Sequence, residues 1–314
     1  MRDATDQTHG TARRDPAGDR QQPILLRRRT CRPPTAADGP RILLLHGLAN
    51  SGTVWDTLCD HAARHDGLRS AELWTADLPW RASGLPQWNH RTDAATWAGR
   101  ALEAARDAGG ADIVVAHSYA ATAVLSWLCR EAGPHTDARS EDGIRGLVLV
   151  SPFFRDRPAD IGWDLVANLA EDLTDAMEEG IRAVAGERGR PALRRAMAER
   201  VTESIGPYGW YRFLELYMST PWLRTDALHV PTLVVSGTAD AIADPAEGHA
   251  LVERLGSASW RPIDGGGHFP MVEQPERLAR TLAEFTARVG AGPRTASGGP
   301  GPRSLPPSTS ERKQ

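Results

Sequence analysis

The chain is almost without lysine: Lys313 stands alone among 37 basic residues, and the formal net charge is −3. No basic excess is left to hold nucleic acid or an anionic membrane. Cysteine is scarce too. Cys31, Cys59 and Cys129 are odd in number and widely spaced, which excludes a disulfide framework and a zinc motif. No apolar run reaches the length of a membrane span, and the N-terminus lacks the apolar stretch of a signal peptide. Gly265-Gly266-Gly267 has neither the spacing nor the following acid of a dinucleotide loop. No His, Asp or Glu cluster has metal-ligand spacing. These absences predict a cytoplasmic protein with reduced thiols, no cofactor, no metal, and no nucleic-acid or membrane partner. They leave the oligomeric state open.

What is present is an alternation. Apolar, β-branched runs near 24–28, 41–45, 71–76, 112–116, 146–151, 231–236 and 258–263 read as strands. Helical patterns fall near 54–65, 92–108, 119–131, 244–255 and 275–289. In the last, Leu278, Leu282, Phe285 and Val289 share one helix face. This alternation predicts an α/β fold with a mostly parallel central sheet flanked by helices. Residues 1–22 are polar without periodicity, and 290–314 are rich in Gly, Pro, Ser and Arg. Both read as disordered tails. Residues 153–228 break the alternation, with helical patterns, no strand and many aromatics.

Three short segments carry the chemistry. His46-Gly47 follows the run Ile42–Leu45, Ala116-His117-Ser118-Tyr119-Ala120 follows Ile113–Val115, and Asp240 comes shortly after Thr232–Val235. His268 follows the three glycines, in a loop before the last helix. A serine hydroxyl is a weak nucleophile at neutral pH and needs an adjacent base, for which His268 is the candidate. Asp240 would orient and charge-stabilise that imidazole. Asp244, before Pro245, reads as a helix cap and is the fallback acid should Asp240 stand remote from His268. The amide of Tyr119, directly after Ser118, would stabilise an oxyanion. His117 reads as structural.

The chain order Ser, Asp, His, on strand ends, resembles the α/β-hydrolase family, in its serine hydrolase branch. The resemblance covers roughly residues 24–289. It implies a hydrolase core over 23–152 and 229–289, a helical cap over 153–228, and the amide of Leu48 as second oxyanion donor. Two departures stand out. Ala116 and Ala120 occupy positions where the family has glycine. Trp80 and Ala82 replace both glycines of a family loop beginning at Asp77. A serine at position 118 excludes the aspartate-nucleophile chemistry of haloalkane dehalogenases.

The resemblance implies a serine hydrolase that cleaves a small-molecule carboxylic ester or thioester through an acyl-enzyme. The aromatic segment suggests a bulky, apolar acyl group, with His46, Gly47, Trp80, Trp163, Trp222 and Phe269 as candidate substrate contacts. Two other readings stand beside it. One is a biosynthetic cyclase or acyltransferase, thioesterase-like. The other is a lyase, C–C hydrolase or ligand-binding protein on the same scaffold.

Overall fold

Seven strands build one sheet: β1 (Leu25–Arg28), β2 (Arg41–Leu45), β3 (Glu72–Asp77), β4 (Ile113–His117), β5 (Gly146–Val150), β6 (Thr232–Gly237) and β7 (Ala258–Ile263). The computed structural model describes residues 24–29, 39–81, 88–131, 143–186 and 190–290. Gly290 apart, the expected tails lie outside these residues, as do Cys31 and Ala82. Each expected strand is present, with its ends shifted by at most one residue. The spatial order is β1-β3-β2-β4-β5-β6-β7. β1 runs antiparallel to β3, and every other pairing is parallel.

Every residue of β4 and β5 is buried, as expected for strands covered on both faces. Alternate side chains point to opposite layers. Leu43, Val114, Leu147 and Val234 join the core under α3 (Ala94–Asp107), α4 (Tyr119–Glu131) and α7 (Pro245–Arg254). Ile42, Val115, Val148 and Leu233 join the core under α1 (Asp56–Ala62), α2 (Asp66–Arg69) and α9 (Pro275–Gly290). Asp93 caps α3 by accepting the amide of Thr96 at 2.8 Å. Asp244 caps α7 by accepting that of Ala246 at 2.9 Å.

One expected helix is broken. The pattern over 54–65 becomes a 3-10 turn at Gly52–Trp55, then α1, then α2 after an extended His65 (φ −106°, ψ 127°). α2 packs closely against α9. Gly67 lies so close to the main chain of Ala283 in α9 that a Cβ would come within 2.5 Å of its carbonyl oxygen.

Between β5 and β6 lie α5 (Trp163–Ala185) and α6 (Pro191–Met218), packed on one another. α6 bends at Gly206 (φ 65°), just before Pro207, which has no N–H to continue the ladder. On the way from β3 to β4 the chain crosses over β2, so the winding reverses between β2 and β4. The carboxyl ends of strands at such a point form a ligand crevice. α8 (Pro270–Glu273) closes the loop that follows β7. Among the described residues, no helix is long and apolar enough to cross a membrane.

Candidate active site

Ser118 stands at the end of β4 with a left-handed backbone, φ 56°. Its amide donates to Val150 at 2.8 Å, and its carbonyl accepts the amides of Ala121 and Thr122, so strand passes directly into α4. Ala116 and Ala120 are fully buried beside this turn, so the elbow forms with methyl groups where the family has hydrogen.

Three side chains from three loops form one hydrogen-bonded line. His268 Nδ1 lies 2.9 Å from Asp240 Oδ2, and His268 Nε2 lies 2.9 Å from Ser118 Oγ. An ionised carboxylate only accepts, so Nδ1 carries the ring proton and Nε2 is free to accept from the serine hydroxyl. Oδ1 of Asp240 accepts the amides of Ile242 and Ala243, both at 2.9 Å. Burial opposes ionisation of Asp240. The charge of His268 and these hydrogen bonds outweigh it and hold the carboxyl below its usual range. The loops bearing Asp240 and His268 are stitched together: Ala239 donates to the carbonyl of Gly266 at 2.8 Å. Gly237 fits there only as glycine, since a Cβ would meet that carbonyl oxygen at 2.2 Å.

The loop after β2 covers the serine. A Cβ on Gly47 would lie 3.0 Å from Ser118 Cβ and 3.0 Å from His117 Nδ1. Ala49, with φ 58°, turns this loop, and its amide donates to Trp80 at 2.9 Å. Among the described residues, the amides of Leu48 and Tyr119 have no acceptor. His46 is committed to the loop itself. Nδ1 donates to the carbonyl of Gly47 at 2.9 Å, and Nε2 accepts the amide of Leu78 at 3.0 Å. Burial lowers its pKa to about 4, so the ring stays neutral.

The remaining candidates divide by place. Phe269 is buried, its ring 5.1 Å from that of His268. Trp80 is buried, 5.0 Å from Tyr119, and donates to the carbonyl of His46 at 3.2 Å. Trp163 and Trp222 are instead 85% and 67% exposed on the helical segment. Phe153, which sequence reasoning did not single out, packs 6.0 Å from His268 and 5.0 Å from Phe213 of α6. Glu247 was also missed. It is buried in the first turn of α7 and accepts from Phe154 and Tyr217, contacts that no local pattern announces. The line itself is closed in: Ser118 is 7% exposed and His268 4%.

Comparison with known proteins gives a consistent picture. Residues 42–281 match the model of the alpha/beta hydrolase family. Over 270 residues the chain is 27% identical to a pimeloyl-[acyl-carrier protein] methyl ester esterase of Xanthomonas campestris, spanning 80% of this chain and 96% of that one. Its fold is like that of a thermophilic esterase from Thermogutta terrifontis, with a TM-score of 0.57, 20% identity, and coverage of 85% and 94% of the two chains. It is also like that of the esterase RhEst1 from Rhodococcus, with a TM-score of 0.58, 20% identity, and coverage of 85% and 95%.

Proposed function

The chain belongs to the alpha/beta hydrolase family, and on that premise we propose that it is a serine esterase working through Ser118, His268 and Asp240. The observation that carries this reading is the line from Ser118 Oγ through His268 to Asp240, with both spacings at 2.9 Å. Oγ attacks the ester carbonyl while His268 Nε2 takes its proton. The amides of Leu48 and Tyr119 receive the negative charge on the carbonyl oxygen. The imidazolium, steadied by Asp240, returns the proton to the leaving alcohol or thiol. A water activated by the same Nε2 then releases the acid and restores the serine.

In this reading α5 and α6 are the cap. The acyl group lies against Gly47, Trp80, Phe153, Phe213 and Phe269, which favours an apolar chain. His46 supports the oxyanion loop, and Trp163 and Trp222 belong to the outer rim. The Xanthomonas campestris relative is named a pimeloyl-[acyl-carrier protein] methyl ester esterase, so methyl esters of medium-length acids are the first substrates to try. The free Cys59 and Cys129 suit a reducing cytoplasm. The closed setting of Ser118 favours a second reading, in which an acceptor other than water takes the acyl group. Product masses separate the two.

The test is a fluorophosphonate probe with the adduct mapped by mass spectrometry. A label on Ser118, absent in a folded Ser118→Ala variant that also lacks turnover, is the expected outcome. A variant that keeps its activity would sink the reading.

A further inference from the structure

His268 is carried on a run of three glycines, the residue type with most backbone freedom to lose on ordering. A general base needs placement to a fraction of an ångström. The ring contact with Asp240 orients the imidazole but does not hold the main chain that bears it.

Two other side chains hold that main chain. Glu273, at the end of α8, accepts the amide of Gly267 on Oε2 at 2.6 Å and that of Phe269 on Oε1 at 2.9 Å. These amides lie on either side of His268. The carbonyl of His268 itself faces His117 Nε2 at 2.8 Å. A carbonyl only accepts, so His117 carries its proton on Nε2 and donates. The three bonds reach His268 and both its neighbours, from α8 and from β4.

We propose that Glu273 and His117 are positioning residues, which together clamp the peptide groups around His268 so that its Nε2 meets Ser118 Oγ. The proposal rests on the reading of His268 as the base. Two features go beyond ordinary capping. α8 has only four residues, yet Glu273 reaches back past its first amides to Gly267, which a short helix does not require. His117 is the residue directly before Ser118. The nucleophile and the base are therefore tied through one strand end, by a path that does not pass through Asp240.

The test compares Glu273→Gln, which keeps the length but only one acceptor oxygen, with His117→Phe, which keeps a ring but no donor. His117→Gln restores a donor. For each we would measure the fluorophosphonate labelling rate, kcat and KM on a p-nitrophenyl ester, the melting temperature, and the downfield proton resonance of the His268–Asp240 hydrogen bond. The clamp predicts that Glu273→Gln and His117→Phe slow labelling and kcat by about tenfold to a hundredfold. KM should stay nearly unchanged, the downfield resonance should broaden, and His117→Gln should recover much of the rate. Should His117→Phe fail to fold, Glu273→Gln, at a partly exposed position, decides alone. Folded variants that label at the wild-type rate overturn the clamp. A wild-type protein that never labels at Ser118 overturns the esterase reading and the clamp with it, which sets that failure apart.

Discussion

The phenol of Tyr217 donates to Oε1 of Glu247 at 2.6 Å, while Oε2 of the same carboxylate accepts the amide of Phe154 at 2.7 Å. One buried side chain thus joins α6, the segment after β5, and α7. Burial raises the carboxyl of Glu247 above its usual range, against the pull of bonds from Tyr217, Phe154 and the nearby Arg155. Tyr217→Phe would leave Oε1 with Arg155 alone, at 3.2 Å. The expected cost is about 1–3 kcal/mol in denaturant unfolding. Tyr211→Phe is the control. Its hydroxyl is exposed and 3.5 Å from Glu215, so its loss should leave stability nearly unchanged.

Asp240→Asn should keep the fold and lose the rate. An asparagine oxygen can still accept the amides of Ile242 and Ala243, but its NH2 would face Nδ1 and favour the wrong ring tautomer. A fall in kcat of about 10⁴-fold is the scale for such a change. Asp244→Asn, at the cap of α7, should leave kcat intact. Steady-state kinetics beside melting curves read both variants, and a fully active Asp240→Asn would count against the proposed role.

Gly47→Ala tests the loop over the serine. The new methyl would stand 3.0 Å from both Ser118 Cβ and His117 Nδ1, so the loop must shift and carry the amide of Leu48 with it. Displacing this proposed oxyanion donor should lower kcat by about tenfold to a hundredfold, with a smaller change in KM. The measurement is kcat on a simple ester in folded protein.

Acid should weaken the fold through two buried histidines. Burial lowers His46 to a pKa of about 4 and His117 to about 3, from an ordinary value of 6.5. Between pH 6.5 and those values the unfolded chain binds protons that the native state refuses. Stability therefore falls as pH falls, by on the order of 1 kcal/mol per pH unit for each histidine. The loss levels off below the folded values. Asp240 adds its own loss at the acid end: its depressed carboxyl contributes stability that disappears as pH falls from the ordinary carboxylate range through the folded pKa. Urea midpoints between pH 7 and 5 should decline less steeply in His117→Gln than in wild type. Equal slopes would contradict the assignment.

Much of this was legible because strands buried on both faces write themselves as β-branched runs. Ile113–Val115 and Thr232–Val235 are examples, and Ser118 and Asp240 stand out by coming just after them. The direction of β1 was not legible: Leu25–Arg28 is a mostly exposed edge, and its antiparallel pairing with β3 leaves no local mark. The end of α1 at Ala62, short of the expected 65, leaves no local mark either. Glu247 and Phe154 are 93 residues apart, and an amide that donates to a distant carboxylate looks like any other amide in the sequence. Glu273 lay closer to view, five residues after His268, but only the geometry shows both its oxygens on the loop.

The left-handed backbone at Ser118 has a consequence for engineering. A side chain held there costs on the order of 1–3 kcal/mol that glycine would avoid. The residue assigned the chemistry thus sits in a strained turn just past β4, and Ser118→Gly should unfold later than the wild type while losing activity. A screen that rewarded only thermal tolerance would drift toward that inert protein. Any stabilised form of this enzyme therefore has to be selected with turnover and heat scored together.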